Sequence, residues 1–258
     1  MTQHTLQGRT EEEVLWFQRR SFLHAAAAWT AMGGFAAAQA QQRTNIVELK
    51  GDALINGQRL DPQQTIQTGD SLETGPNSQL VFVLGTTSLL VRQNSRLTVE
   101  RGATLNAVSV LRMLTGAVAS VWGRGNTRQV VTPTLTAGIR GTGVYTEVLP
   151  QQGFRSYFCN CYGTVDMSAG PDKTVSQADY HQSFWGEAQP KNGRYLTPAK
   201  AINHTDEEME YLAKLINQRT AWEIAGRKGV KDGSGYMEER PPTAHPAMQM
   251  PMPPKQSN

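Results

Sequence analysis

The sequence predicts a mainly β protein, a compact multi-stranded β-domain with a C-terminal capping helix and a disordered tail. Three observations predict it. Twenty-four glycines and 13 prolines stand among 258 residues beside only 7 phenylalanines and 7 tyrosines, which favours many turns between short strands. Between residues 44 and 149, β-prone pieces recur every roughly 8–12 residues with turn residues between them, the spacing of an all-β domain. No stretch in that region sustains the period of an amphipathic helix.

The chain opens on a segment that reads as an address. Residues 1–20 are polar and end in Gln18-Arg19-Arg20, followed by Ser21-Phe22-Leu23-His24 and a weakly apolar run closing on Ala38-Gln39-Ala40. A charged region, an apolar region and a small-residue A-x-A ending form a cleavable signal peptide, residues 1–40. The Arg19-Arg20 pair before Ser-Phe-Leu resembles the twin-arginine export signal. His24, Thr30, Gly33 and Gly34 make the apolar region less apolar than an ordinary secretory signal. The alternative is a retained membrane anchor, which Gly33-Gly34 disfavours because glycine weakens a helix. Cleavage after Ala40 leaves a periplasmic chain with the full net charge of +3, since three arginines and three glutamates leave together. No other apolar run approaches the roughly 20 residues that a spanning helix needs, so the mature chain has no membrane span. Export by this route implies folding before translocation, often around a cofactor.

The β-prone pieces then follow in order. Val47-Glu48-Leu49 and Ala53-Leu54-Ile55 precede Asn56-Gly57, the strongest two-residue hairpin signal because both positions need positive φ. Gly69-Asp70 and Gly75-Pro76-Asn77 punctuate next. Gln79 to Val83 and Ser88 to Val91 flank a Gly85-Thr86 turn, and Leu97-Thr98-Val99-Glu100 alternates. Val108 to Leu114, Ala117 to Trp122, Gln129 to Thr132 and Val144 to Leu149 complete the set.

These residues carry a resemblance. Gly69-Asp70-Ser71-Leu72-Glu73-Thr74-Gly75, Ser78 with Leu80, Phe82 and Leu84, and Ser88-Leu89-Leu90-Val91 resemble the FecR domain. So do Leu114-Thr115-Gly116-Ala117-Val118 and the more specific stretch from Val131-Thr132-Pro133 through Ile139-Arg140-Gly141-Thr142. The resemblance covers residues 44–149. It implies an extracytoplasmic β-rich module, best known as the periplasmic half of membrane regulators that relay iron-siderophore signals to a sigma factor. This chain departs from that pattern. Leu84-Gly85-Thr86 stands where the family often has Asp-Gly-Ser, and some 20 residues precede the apolar stretch in place of a cytoplasmic domain. Thr132, Pro133, Arg140, Gly141 and Thr142 form the motif read as structural, with Arg140 expected to span neighbouring carbonyls with its planar donor fork. Ligand binding through Arg140 is the other reading.

Residues 150–226 form a Cys/His segment. Both cysteines of the chain lie in Phe158-Cys159-Asn160-Cys161-Tyr162-Gly163. On a strand, side chains two apart share a face, and Gly163 would mark a turn or bulge. Three readings stay open. A Cys159–Cys161 disulfide would close a very small ring near the reach limit of such a bond. A metal site would join both thiolates to His181 and His204, suiting zinc or, through thiolate softness, copper. The third reading is two small semi-buried residues beside separately satisfied histidines.

Thr205-Asp206-Glu207-Glu208 is a capping box, so a helix is expected over 206–225 and ended by Gly226. From 227 to 258 six prolines and the alternating Met248, Met250 and Met252 predict a disordered tail. Those thioethers could capture Cu(I), or be without function.

No nucleophile elbow, phosphate-binding glycine loop or metalloprotease helix occurs. The charged fraction of 18% and the charge of +3 are too small for a nucleic-acid binder. The expectation is a non-enzymatic, exported FecR-like binding, scaffolding or sensing protein with an envelope protein partner or a small ligand. The alternative is a periplasmic metal-binding or thiol-redox protein using Cys159, Cys161, His181 and His204.

Overall fold

The computed structural model describes residues 44–228 apart from 105 and 126–127. The signal peptide with Arg19 and Arg20, and the proline- and methionine-rich tail beyond residue 228, lie outside the described residues. The described part is mainly β, as its sequence predicts, with two short helices near its C-terminal end.

Two antiparallel-dominated sheets share two long bent strands. The first sheet runs β1 (Ile46–Lys50), β5 (Gln79–Leu84), β6 (Thr87–Val91), β8 (Val108–Trp122), β11 (Gly143–Leu149), β12 (Arg155–Ala169), β14 (Gln182–Lys191) and β15 (Arg194–Ala199). The second runs β3 (Gln58–Arg59), β2 (Ala53–Ile55), β4 (Ser71–Thr74), β7 (Arg96–Arg101), β8, β9 (Arg128–Val131), β10 (Thr136–Ile139), β12 and β13 (Asp172–Ala178). Within it β8 and β9 pair in parallel. The Asn56-Gly57 hairpin forms as expected, with φ of 52° and 78°.

Glycines make the two corners at which the shared strands change sheet. β8 pairs β7 up to Thr115 and pairs β11 from Gly116 onward, with Gly116 at φ 79°. The two pieces expected on either side of Gly116 are therefore one strand. β12 pairs β11 up to Tyr162 and β13 from Gly163, which sits at φ 100°. A Cβ on Gly163 would lie 2.7 Å from Thr142 Cβ, so both the backbone and the space demand glycine.

One apolar cluster joins the facing sides of the two sheets. Phe82, Val91 and Trp122 enter it from the first sheet, and Leu72, Leu97 and Val165 from the second. A second cluster covers the opposite face of the first sheet, where Val81, Leu90, Ala119, Val121 and Tyr145 meet Met209, Leu212, Ala213 and Trp222. The central strands are thus buried on both faces. All five residues of β6 and every residue from Ser156 to Tyr162 of β12 are buried, and simple alternation is lost there.

The covering residues come from α1 (Asp206–Leu215) and α2 (Ala221–Ala225). The single helix expected over 206–225 is corrected to these two. Asn217 takes a left-handed φ of 56°, and Thr220 then starts a second capping box with Glu223. Two local N-terminal signals win over one long apolar stripe. Gly226 ends α2 in the left-handed conformation, as expected. The expected division at residue 149 falls inside the fold, because β12 to β15 extend the same sheets.

Arg140 differs from its expected role. It lies exposed and grips the Asp166 carboxylate through Nε at 3.0 Å and Nη2 at 2.6 Å, with no carbonyl partner among the described residues. Its neighbour Thr142 is fully buried and donates to Asn160 Oδ1 at 3.1 Å. Thr132 accepts from Ser156 Oγ at 2.8 Å and from the Leu135 amide at 2.9 Å. The motif ties β10 and its flanking loops to β12, an architectural function.

Candidate metal centre

Cys159 and Cys161 lie mid-sheet on β12, where pairing to β11 and β14 fixes their register: Cys159 stands opposite Tyr145 on one side and Ser183 on the other. Both side chains emerge on the face covered by the helices, as their two-residue spacing requires. His181 sits in the turn between β13 and β14, its amide bonded to the Cys161 carbonyl at 3.0 Å. His204 lies between β15 and the Thr205 cap of α1. The fold brings all four together, their ligand atoms within 4.8 Å of one another.

Four of the six distances within this set are close to those that zinc would impose. Zinc held at about 2.3 Å from sulfur and about 2.0–2.1 Å from nitrogen separates two sulfurs by about 3.8 Å, sulfur from nitrogen by about 3.5 Å, and two nitrogens by about 3.4 Å. The observed Sγ–Sγ distance is 3.8 Å. Cys159 Sγ lies 3.5 Å from His181 Nδ1, and Cys161 Sγ lies 3.5 Å from His204 Nε2. His181 Nδ1 and His204 Nε2 are 3.0 Å apart. The cysteines are free thiols at this separation.

The outer nitrogens are occupied. His181 Nε2 is 3.2 Å from Asp206 Oδ1, and His204 Nδ1 is 2.6 Å from the Ile202 carbonyl. Those oxygens can only accept, which assigns an N–H to each outer nitrogen and turns each inner lone pair toward the sulfurs. Asp206 is itself buried and also accepts from Tyr180 Oη at 3.1 Å, with Lys228 Nζ at 3.6 Å. Aromatic rings wall the set. Tyr145 stacks on His204 at 4.7 Å, Trp222 stacks on His181 at 5.2 Å, and Tyr180 meets His181 edge-on.

The electrostatics set a thiolate beside a basic imidazole. Burial opposes ionisation of Cys159, but the hydrogen bond from Cys161 and the imidazoles of His204 and His181 hold its thiol well below the ordinary range. Burial, then the hydrogen bond and charge of Cys159, push the Cys161 thiol up. Burial also disfavours the charged form of His181, yet the Cys159 thiolate and the Asp206 carboxylate raise its pKa to about 9. A divalent ion with two thiolates and two neutral imidazoles is neutral overall, which suits a buried site. Two thiolates and two imidazoles fit zinc better than Cu(I), whose preference is for soft sulfur.

Sequence reading singles out the four candidate ligands but not Asp206, Tyr145 or Trp222 as their supports. Only the two-residue spacing of His204 and Asp206 hints at one of them, and Asp206 was already explained as a first-turn helix residue.

No protein-family model and no curated protein matches this chain. Two crystal structures of a candidate anti-sigma factor from Parabacteroides distasonis ATCC 8503 are similar to it. One has a TM-score of 0.41 at 10% identity and covers 50% of this chain and 58% of that one. The other has 0.42 at 12% identity, with 52% and 60% covered. This chain spans less than two thirds of those proteins, and at that similarity their activity and partners do not transfer to it. Among the described residues no helix is long and apolar enough to cross a membrane.

Proposed function

We propose that this chain is an exported, non-enzymatic FecR-like binding or sensing module of the periplasm or cell envelope, and that it carries one zinc ion on Cys159, Cys161, His181 and His204. The convergence of the four donor atoms within 4.8 Å of one another, with an oxygen behind each imidazole, carries the metal assignment. A catalytic zinc keeps a coordination position open for water or substrate, whereas a structural zinc is closed by four protein ligands. Here four ligands are present and both sulfurs are fully buried, which supports a structural ion. The twin-arginine-like Arg19-Arg20 and the Ala38-Gln39-Ala40 ending support export. A route that carries folded chains would let the metal load before translocation, and zinc would protect the thiolates in an oxidising compartment.

Metal analysis of protein recovered from the periplasmic fraction tests both parts. The expected outcome is one zinc per chain, lost in Cys159→Ser and in Cys161→Ser, with the Arg19→Lys/Arg20→Lys variant retained in the cytoplasm. Metal-free wild type two hydrogens light in mass would sink the zinc and establish the Cys159–Cys161 disulfide.

A further inference from the structure

The four ligands are not all on one body of the fold. Cys159 and Cys161 belong to β12 and His181 to the turn entering β14, so three donors are held by the sheets. His204 belongs to the stretch that leads into α1, and the carboxylate behind His181 is Asp206, the first residue of that helix. Trp222 of α2 lies flat against His181. The Cys161–His204, His181–His204, His181–Asp206 and His181–Trp222 contacts therefore cross between the sheet and the helical layer.

We propose that the metal is the clasp of this layer, so that metal occupancy and docking of residues 200–225 are one coupled equilibrium and metal loss bares the outer face of the first sheet. The inference rests on the zinc centre proposed above and adds a regulatory role to it.

Three features carry it. The layer is too short to persist alone: α1 has 10 residues and α2 has 5, and isolated helices below about 12–15 residues are marginal in water. Its other attachments are apolar contacts, with Met209, Leu212, Ala213 and Trp222 central, and hydrogen bonds that include Ser88 Oγ to the Leu212 carbonyl at 2.7 Å, the Ile202 amide to Tyr157 Oη at 3.0 Å and the Arg92–Glu208 pair at 2.7 Å. Next, a metal would bind donors of both bodies at once, Cys159 and Cys161 on β12 and His204 beside α1. Without it the centre keeps only the hydrogen bonds among these side chains. Finally, the cluster between the sheets contains no residue of 200–225. The sandwich keeps its own core when the layer leaves, whereas Val81, Leu90, Ala119, Val121 and Tyr145 lose their cover.

Coupling of this kind is reciprocal, so a change in the layer far from the donors must weaken the metal. Leu212 is fully buried and ligates nothing; Ile224 is 71% exposed and serves as the control. Zinc affinity of the full chain, measured by competition with a chelator, is expected to fall at least about 10-fold in Leu212→Ala and to stay unchanged in Ile224→Ala. Hydrogen exchange on the wild type supplies the second arm. On chelation, amides of 206–225 are expected to exchange about 100-fold faster while those of β7, β9 and β10 keep their protection. Undiminished affinity in a folded Leu212→Ala, equal protection of 206–225 with and without zinc, or loss of all protection together would each overturn the clasp while leaving the zinc site standing. A wild type that binds no zinc at all would overturn the site and the clasp with it.

Discussion

His181 Nδ1 and His204 Nε2 face each other at 3.0 Å while their outer nitrogens engage Asp206 and the Ile202 carbonyl. Two lone pairs at that separation hold either a proton or a metal ion, so the two compete. Because the Cys159 thiolate and Asp206 raise the pKa of His181 to about 9 against burial, zinc must displace a proton from it at neutral pH. The sign follows: zinc affinity rises with pH through about 9 and beyond, because the Cys161 thiol, pushed up by burial and by Cys159, must also give up its proton. Asp206→Asn removes the charge behind the imidazole, so zinc affinity is expected to fall about 10–100-fold. In that variant the part of the rise that belongs to His181 should also shift to lower pH, because the proton on His181 loses the same support. Calorimetric zinc titrations of both proteins across pH 6 to 10 check the pair, and an unaltered pH profile in the variant would show that Asp206 merely fills space. Cys159, Cys161, His181 and His204 were all legible as candidates, because few residue types ligate soft or borderline metals. Their supports were not: stacking by Tyr145 or Trp222 depends on a third dimension that spacing does not encode.

At the scale of elements, the long strands matter most. β12 supplies both thiolates to the first sheet and then turns at Gly163 to pair with β13 in the second. Gly163→Ala places a Cβ 2.7 Å from Thr142 Cβ at a φ of 100°, and is expected to destabilise the fold by more than about 1 kcal/mol. Thermal unfolding of the zinc-loaded variant measures this, and an unchanged midpoint would refute the corner. Most β-prone pieces before residue 149 are strands as expected, since turn residues at fixed offsets mark their ends. Ser71–Thr74 and Thr136–Ile139 were read as motif or loop, yet they pair as β4 and β10. Each is four residues long, below the length at which alternation shows. The helix over 206–225 failed for the opposite reason. Its apolar stripe ran on through Asn217, and the Thr220–Glu223 box went unweighed although it has the same form as the one at Thr205.

For the whole molecule, the decisive feature is a central sheet with both faces covered, one by the second sheet and one by α1 and α2. Residues 150–226 are thereby part of the same β-architecture as 44–149. Sequence alone determined the mainly β class, the Asn56-Gly57 hairpin, the Thr205 cap and the four candidate donor residues, because each depends on residue type or on neighbours within a few positions. Tertiary structure alone decided that β8 and β12 serve two sheets, that Arg140 pairs with Asp166 at the surface, and that Cys159, Cys161, His181 and His204 converge. These depend on pairings between residues up to 45 positions apart, as the His204–Cys159 separation is in sequence, and such contacts are fixed only when the sheets and the helical layer pack together.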